Sequence, residues 1–314
     1  MTARALWCVA PGQAEIRDAA LGEGVLVQAR WSGISRGTER LVAEGRVPAT
    51  EWARMRAPHQ EGAFPFPVKY GYAMVGEATE GAYAGRAVFA LFPHQTAFRL
   101  PEAALIPVPK GVPGARAVLA ANMETALNIL WDSGAGAGDR IAVIGAGVVG
   151  ALVAYLGARL PGAEVVLVDP VAERATLAAA LGCAFAAPEQ APGDCDVVIH
   201  ASATAAGLAT ALACAGPEAV VVEASWHGTG DVPLPLGGAF HSRRLKLVSS
   251  QVGMLPPGRA PRWTYRRRLE KALDLLHDPR LDALISGESG FEDLPQTYRA
   301  VLTAPGTLCH RIRY

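Results

Sequence analysis

The chain is 314 residues long, which is enough for two domains of ordinary size. Hydrophobic residues make up 51% of it and charged residues 18%, a composition that is typical of globular proteins and excludes a disordered chain. Lys and Arg together number 29, as do Asp and Glu, so the overall charge does not indicate a nucleic acid or an anionic membrane as partner. We therefore expect neither.

The cysteines and the amino-terminal segment indicate a cytoplasmic protein. The five cysteines are an odd number in a large chain and none has a CxxC spacing, which argues against a disulfide framework. The first residues lack the apolar stretch of a signal peptide and break at Pro11-Gly12. The charge-free stretch 141–158 has the length of a membrane span, but its glycines and its strand-like first half disfavour one.

The first 114 residues are predicted to be rich in short β-strands, because apolar runs alternate with Gly and Pro. These runs are Ala3 to Val9, Val25 to Trp31, Met74 to Thr79, Arg86 to Phe92 and Thr96 to Leu100. Between Val42 and Tyr70 the pattern predicts a long irregular connection, a kind of segment that is usually functional in a compact domain. We expect its aromatic residues to line an apolar wall of a substrate site: Trp52, Phe64 and Phe66.

Strands and helices alternate from Ala115 onwards. The predicted helices are Ala115–Trp131, Val148–Leu160, Glu173–Leu181 and Ala205–Cys214, and the predicted strands are Arg140–Ile144, Glu164–Val168, Asp196–His200 and Ala219–Ala224. Continuous apolar strands of this kind are typical of a parallel sheet covered on both faces. We therefore predict a strand-rich domain over 1–114, a doubly wound α/β domain over 115–250, and a C-terminal segment over 251–314 that completes the first domain.

A glycine-rich turn follows the strand Arg140–Ile144 and opens a helix, the context that a dinucleotide-binding motif requires. Gly145 permits the tight turn, Gly147 lets the backbone approach a pyrophosphate, and Gly150 lets the helix pack closely on the strand. The free amides and the helix dipole favour phosphate. We expect the turn to bind the cofactor through Gly145, Gly147, Val148, Val149 and Gly150.

An acidic residue occupies the position at which this motif has its ribose-binding residue. Asp169 ends the strand Glu164–Val168, nineteen residues after Gly150. Its carboxylate can accept hydrogen bonds from the ribose hydroxyls and would repel a 2′-phosphate. The sequence therefore favours NAD over NADP. Arg174 is a further cofactor-binding candidate, because its charge could soften that repulsion.

The glycine turn has two alternative interpretations. The three glycines could simply make a tight strand-helix turn. A methyltransferase also places a glycine-rich turn and a ribose-binding acid on such a sheet, although it does not explain the strand-rich first region. Two further cofactor candidates end later strands at the sheet edge where ligands bind, and each could equally be a small residue that ends a strand: Ser202 and Ser225.

Over essentially its whole length the chain resembles the medium-chain dehydrogenase/reductase family. The segments that carry the resemblance are residues 31–39 (WSGISRGTE), 66–76 (FPVKYGYAMVG), the glycine turn, and 169–182. The resemblance implies a β-rich GroES-like catalytic domain joined to a Rossmann domain, with NAD(P) in the cleft between them, and a dimer or tetramer. It also implies that Thr125 lies beside the nicotinamide and that Arg36 meets the cofactor phosphates.

The chain differs from the zinc-binding members of the family at the positions of the zinc ligands. Where zinc members carry a catalytic Cys this chain has Ser35, and where they carry a His it has Tyr72. The position of the third ligand falls near 121–123, where no ligand residue exists, and the four-cysteine structural lobe is missing. Because zinc requires thiolate, imidazole or carboxylate donors, we expect no metal and a zinc-independent branch. The segment 32–40 is similar to the bacteriochlorophyllide a dehydrogenase group.

Hydride transfer between an alcohol and NAD needs a group that takes or gives the hydroxyl proton. That group should replace the zinc, which singles out Ser35, Thr38 and Tyr72 as catalytic candidates. Tyr72 is the expected general acid/base, with its pKa lowered by Lys69. Tyr72 could also merely pack at the start of a strand, and Ser35 and Thr38 could form a polar turn. Glu39 is expected to pair with Arg36 or to cap the following helix.

The sequence thus predicts an NAD-dependent oxidoreductase that acts on an alcohol or carbonyl without zinc. An alternative is an NADPH-dependent quinone or enoyl reductase. A third possibility, from another functional class, is a catalytically silent dinucleotide-binding protein.

Overall fold

The computed structural model describes residues 2–314, which form two compact units. One unit, here called the strand-rich unit, runs to Ala121 and resumes over Leu269–Tyr314, and the other, the parallel-sheet unit, comprises Asn122–Arg268. In the described part of the chain, no helix combines the length and the apolar character needed to cross a membrane.

The secondary structure follows the chain in this order. The strands are β1 (Ala3–Ala10), β2 (Gln13–Ala19), β3 (Val25–Ser35), β4 (Glu61–Gly62), β5 (Val68–Lys69), β6 (Met74–Ala78), β7 (Ala87–Ala90), β8 (Ala97–Leu100), β9 (Ile106–Pro107), β10 (Arg140–Ile144), β11 (Glu164–Val168), β12 (Ala184–Ala186), β13 (Cys195–His200), β14 (Ala215–Glu223), β15 (Lys246–Ser249), β16 (Ile285–Gly290) and β17 (Cys309–Arg313). The α-helices are α1 (Arg36–Ala43), α2 (Gly114–Ala117), α3 (Ala120–Ser133), α4 (Val148–Gly157), α5 (Arg174–Leu181), α6 (Ala205–Cys214), α7 (Tyr265–Asp274) and α8 (Leu294–Thr303).

The strand-rich unit contains two sheets. One has the order β2-β1-β5-β4, and the other the order β16-β17-β3-β6-β7-β9, with β8 also paired to β3. The C-terminal strand β17 runs antiparallel to β3, which sets Cys309 opposite Ser35. The tail therefore completes the sheet that carries the end of β3.

The parallel-sheet unit is doubly wound. Its sheet has the order β12-β11-β10-β13-β14-β15, and all neighbouring strands are parallel. The chain changes direction beside β10, so the turn after β10 and the turn after β13 meet at the switch point where such sheets bind ligands. The charge-free stretch is divided between β10 and α4 and forms part of this core. The predicted α/β class, a doubly wound parallel sheet with a second, β-rich domain, is confirmed.

The boundaries of the two units lie later in the chain than 114 and 250, where the change of sequence pattern had suggested them. The first falls after Ala121 and the second after Arg268. Arg268 is buried, and it donates to Glu124 Oε1 at 3.0 Å and to the Val252 carbonyl at 2.6 Å. This buried ion pair ties the segment after 250 to the parallel-sheet unit.

The predicted helix Ala115–Trp131 is two helices rather than one, because α2 ends in a tight turn in which the Leu119 amide bonds to the Arg116 carbonyl. The Arg116 side chain is buried against Asp282, with guanidinium–carboxylate contacts of 2.6 and 2.7 Å.

The long connection after Val42 is also more structured than predicted, since α1 covers its first residues and β4 and β5 lie within it.

Candidate functional site

The glycine turn between β10 and α4 is held by close backbone contacts. Gly145 has φ +108°, and a Cβ there would lie 2.7 Å from the Ser202 amide nitrogen. A Cβ on Gly150 would lie 2.0 Å from the Gly145 carbonyl oxygen. A Cβ on Gly147, at the N-cap of α4, would meet nothing within 4 Å. The protein fold thus excludes side chains at Gly145 and Gly150, whereas Gly147 borders open space at a helix N-terminus, which fits a phosphate.

Asp169 stands at the mouth of this turn. Its Oδ2 accepts from the Ala146 amide at 2.7 Å and its Oδ1 from the Val171 amide at 2.9 Å. The carboxylate is therefore fixed beside the glycine turn, with remaining lone pairs for a ribose hydroxyl. The two valines of the turn, Val148 and Val149, begin α4, and Arg174 begins α5 just beyond Asp169.

Both later-strand serines lie at the same carboxyl edge of the sheet. Ser202 follows β13, and its hydroxyl hydrogen bonds with His200 Nε2 at 2.7 Å and Thr204 Oγ1 at 3.0 Å. Ser225 follows β14, and its hydroxyl accepts from the Ala203 amide at 3.0 Å. The structure therefore brings Ser202 beside Gly145, at the switch point of the sheet.

An unexpected cluster accompanies these serines. His200 ends β13 and Glu223 ends β14, and His200 Nδ1 lies 2.7 Å from Glu223 Oε2. His227 Nε2 lies 3.4 Å from the same oxygen. Burial disfavours ionisation of Glu223, but the hydrogen bond and charge of His200 and the hydrogen bond from Ser225 outweigh it and hold its pKa below the ordinary value. The sequence pattern predicted both strands but not the register in which they pair. That register sets His200 beside Glu223.

In the strand-rich unit, the three catalytic candidates come together. Ser35 ends β3, Thr38 lies in the first turn of α1, and Tyr72 lies between β5 and β6. The Tyr72 phenol hydrogen bonds with the side chains of Ser35 and Thr38. Of the two candidates that the resemblance supplied, Arg36 follows Ser35 at the start of α1 and donates from Nε to the Leu302 carbonyl at 3.0 Å. Thr125 lies in α3.

Lys69 does not activate Tyr72, so that part of the prediction is wrong. Burial raises the pKa of Tyr72 to about 12, and its hydrogen bonds with Ser35 and Thr38 only partly offset this. Lys69 is buried and engages Glu61 and the Gln95 side-chain oxygen instead. The Tyr72 phenol consequently keeps its proton at neutral pH and can act as a hydrogen-bond and proton donor.

A zinc ion does not fit this group of hydroxyls. Ser35 and Tyr72 offer a hydroxyl and a protonated phenol, which are poor zinc donors. The neighbouring Cys309 is fully buried, and burial raises the pKa of its thiol to about 12. Across residues 2–314, the three-donor group whose ligand atoms converge includes none of these residues.

Glu39 is the centre of a buried polar network that the sequence did not reveal. As expected, it caps α1, since its Oε1 accepts from the Ser35 amide at 2.8 Å. Its Oε2 accepts from the Tyr298 hydroxyl at 2.8 Å and lies 3.0 Å from His94 Nε2. His94 in turn hydrogen bonds with Ser32 at 2.8 Å. The network therefore holds the end of β3 and the start of α1, where Ser35 and Thr38 lie.

We predict that Glu39→Gln lowers the free energy of unfolding by about 1–3 kcal/mol, because a buried amide cannot accept on both sides as the carboxylate does. Urea denaturation measures the change. Glu44→Gln is the matched control, because Glu44 ends the same helix but pairs with Arg40 and Arg46 near the surface. Removing the Glu44 charge should lower the free energy of unfolding by less than about 1 kcal/mol. Equal costs for the two variants would show that the Glu39 network is not a stabilising element.

Comparisons with known proteins agree with this fold. No family model matches the chain. D-guloside 3-dehydrogenase of Escherichia coli K12 is 27% identical over 208 residues, which are 61% of this chain and 59% of that protein. The chain thus matches less than two thirds of the length of this curated relative.

Two solved structures share the architecture at low identity. A putative zinc-binding dehydrogenase from Sinorhizobium meliloti bound to NADP superposes with a TM-score of 0.77 at 19% identity, with 100% of each chain covered. L-idonate 5-dehydrogenase from Escherichia coli superposes with a TM-score of 0.79 at 14% identity, with 100% of this chain and 99% of that chain covered. These relatives are dehydrogenases of the medium-chain type. The chain therefore has the fold of the medium-chain dehydrogenases, with a Rossmann unit and a GroES-like unit.

Proposed function

We propose that this protein is an NAD-dependent dehydrogenase that transfers a hydride between the nicotinamide and an alcohol or carbonyl, without zinc at Ser35 and Tyr72. The observation that carries the proposal is the glycine turn with the Asp169 carboxylate fixed at its mouth. The nicotinamide supplies the hydride chemistry when it is bound. Gly147 and the start of α4 would hold its pyrophosphate, and Asp169 its adenosine ribose.

Tyr72 is the proposed group that exchanges the proton of the substrate hydroxyl. Its phenol is protonated at neutral pH and is oriented by Ser35 and Thr38. In carbonyl reduction it would donate a hydrogen bond to the carbonyl oxygen and then a proton to the forming alkoxide. Ser35 or Thr38 would then donate its hydroxyl proton to the phenolate and take a proton from solvent water in return, which completes a route that needs no metal.

The names of two relatives support a proposal for the substrate class. These relatives are a D-guloside 3-dehydrogenase and an L-idonate 5-dehydrogenase. We propose a secondary alcohol of a sugar derivative or polyol, and a homo-oligomer as the family resemblance implies.

The assay follows reduced nicotinamide by absorbance across glycosides and polyols with NAD, and across ketones, quinones and activated alkenes with NADH and NADPH. NAD-linked oxidation of a secondary alcohol supports the proposal. Turnover only of quinones or alkenes with NADPH would replace it by a reductase. The absence of turnover across the panel would favour a silent dinucleotide-binding protein.

We predict that Asp169→Asn lowers the preference for NADH over NADPH at least 10-fold. The substitution removes the charge that would repel a 2′-phosphate but keeps an oxygen that can accept from the Ala146 amide. Paired fluorescence titrations with NADH and NADPH measure the ratio of dissociation constants. Asp196→Asn is the matched control, because Asp196 also accepts a backbone amide, that of Arg140, at the amino end of the sheet. If the preference is unchanged in the Asp169 variant, Asp169 does not contact the ribose.

A further inference from the structure

The cluster at the carboxyl edge of the parallel sheet has the composition of a metal site. His200 and Glu223 face each other in register on β13 and β14, and His227 follows four residues later. One ligand atom from each of the three residues lies within 4.8 Å of the other two. Two imidazoles and a carboxylate are the donors that zinc and neighbouring divalent transition metals select.

His227 supplies the observation that points most directly to a ligand. Its Nε2 is buried and has no hydrogen-bond partner, although it lies 3.4 Å from Glu223 Oε2. Buried polar atoms without partners are rare in proteins, because their desolvation is not compensated. A cation held between His227, Glu223 and His200 would satisfy this nitrogen.

The spacing and accessibility of the donors suit a bound ion. Metal bonds of about 2.0–2.1 Å place neighbouring ligand atoms roughly 3.0–3.4 Å apart. The two distances to Glu223 Oε2, 2.7 Å from His200 and 3.4 Å from His227, need only small side-chain adjustments to reach that range. The His200 side chain is fully buried, whereas those of Glu223 and His227 are 18% and 19% exposed, so an ion could enter from one side.

The surrounding hydrogen bonds can serve both the metal-free and the loaded state. His200 Nδ1 lies 2.7 Å from Glu223 Oε2 and His200 Nε2 lies 2.7 Å from the Ser202 hydroxyl, so in the metal-free state a proton on Nδ1 would be donated to the carboxylate. With a metal on Nδ1, the ring proton would lie on Nε2 and be donated to Ser202, whose own hydroxyl could then donate to Thr204 Oγ1 at 3.0 Å. Such an outer partner fixes the tautomer that a metal requires.

We propose that His200, Glu223 and His227 bind one divalent transition-metal ion of the zinc class, with at least one coordination position open to solvent or a small ligand. The site lies in the parallel-sheet unit and uses none of the residues that replace the zinc ligands of the family. The proposal does not rest on the proposed dehydrogenase activity, although Ser202 and Ser225, which contact His200 and Glu223, are also cofactor-binding candidates. It differs from the sequence-based expectation that the chain binds no metal.

The test uses the full chain without an affinity tag, stripped of metal by a chelator that is then removed. Calorimetric titration with zinc chloride should show one equivalent bound. Cobalt(II) should give visible d–d absorption that disappears when zinc displaces the cobalt ion. His227→Ala and Glu223→Gln should each weaken zinc binding at least 100-fold. Ser202→Ala should weaken it about 10- to 100-fold, because only the outer hydrogen bond is lost.

His241→Ala is the matched control, because it removes an exposed imidazole from the same unit. It should leave the affinity and the cobalt spectrum unchanged. Circular dichroism checks that each variant is folded, and His227→Gln replaces His227→Ala if the latter is not. The proposal is overturned if the wild-type protein binds no stoichiometric zinc, or if folded His227 and Glu223 variants bind it as tightly as the wild type.

Discussion

Tyr72→Phe is expected to reduce turnover at least 100-fold while leaving the affinity for NADH unchanged. The phenol is the group that Ser35 and Thr38 orient, and the pKa of about 12 keeps it protonated over the neutral range. Removal of a positioned proton donor typically costs 10²- to 10⁴-fold in rate. Cofactor affinity should not change, because the cofactor-binding residues assigned to the parallel-sheet unit are untouched.

Steady-state kinetics in the direction of carbonyl reduction measure this effect, together with an NADH titration of each variant. Tyr70→Phe is the matched control, since the Tyr70 ring lies 6.0 Å from that of Tyr72 in an edge-on arrangement. It removes a buried phenol from the same segment and should retain most of the activity. If Tyr72→Phe also retains turnover, the proton comes from Ser35, Thr38 or water.

The pH dependence gives a second readout of the same assignment. The pKa of Tyr72 is raised by burial, so the donor form is complete at neutral pH and is lost only as the pH rises toward about 12. Carbonyl reduction should therefore show no loss of rate near neutral pH that depends on Tyr72. A rate decrease centred near neutral pH that disappears in Tyr72→Phe would contradict the assignment.

Gly150→Ala is expected to abolish dinucleotide binding, with at least a 100-fold loss of NADH affinity. The added Cβ would lie 2.0 Å from the Gly145 carbonyl oxygen, a backbone atom that cannot move without opening the turn. The start of α4 must shift, which displaces the amides that face the phosphates. We also expect a loss of about 3 kcal/mol in the free energy of unfolding from this overpacking.

Gly147→Ala is the matched comparison, because the same methyl group is added three residues earlier in the same turn. Its Cβ meets nothing within 4 Å, so the free energy of unfolding should fall by less than about 1 kcal/mol, the cost of a weaker N-cap. NADH binding should nevertheless weaken at least 10-fold, because the pyrophosphate approaches that position. If Gly147→Ala binds NADH like the wild type, the turn does not hold a dinucleotide in this way.

The features that the sequence predicted depend on local patterns. The glycine spacing, the apolar strand before it and Asp169 at the end of the next strand fix the turn without any distant contact. The grouping of Ser35, Thr38 and Tyr72 was predicted because the resemblance placed the zinc ligands at two of these positions. The first prediction needs only consecutive elements of the chain, whereas the second rests on the resemblance, because Ser35 and Tyr72 belong to separate segments.

The features that were missed depend on side-chain contacts between different elements of the fold. Glu39 meets His94 and Tyr298, which are 55 and 259 residues away. His200 meets Glu223 only because β13 and β14 pair in a particular register. Lys69 was expected to act on Tyr72 because the two residues are close in sequence, whereas it forms an ion pair with Glu61. Side-chain partners of this kind are set by tertiary packing and cannot be predicted from spacing.

The most direct test of the central claim is a titration of the purified wild-type protein with NADH and with NADPH, followed by nicotinamide fluorescence. We predict saturable binding of NADH with one site per chain, and weaker binding of NADPH because of the Asp169 carboxylate. Failure of both nucleotides to bind would contradict the assignment of the glycine turn to a dinucleotide, and with it the proposed dehydrogenase function.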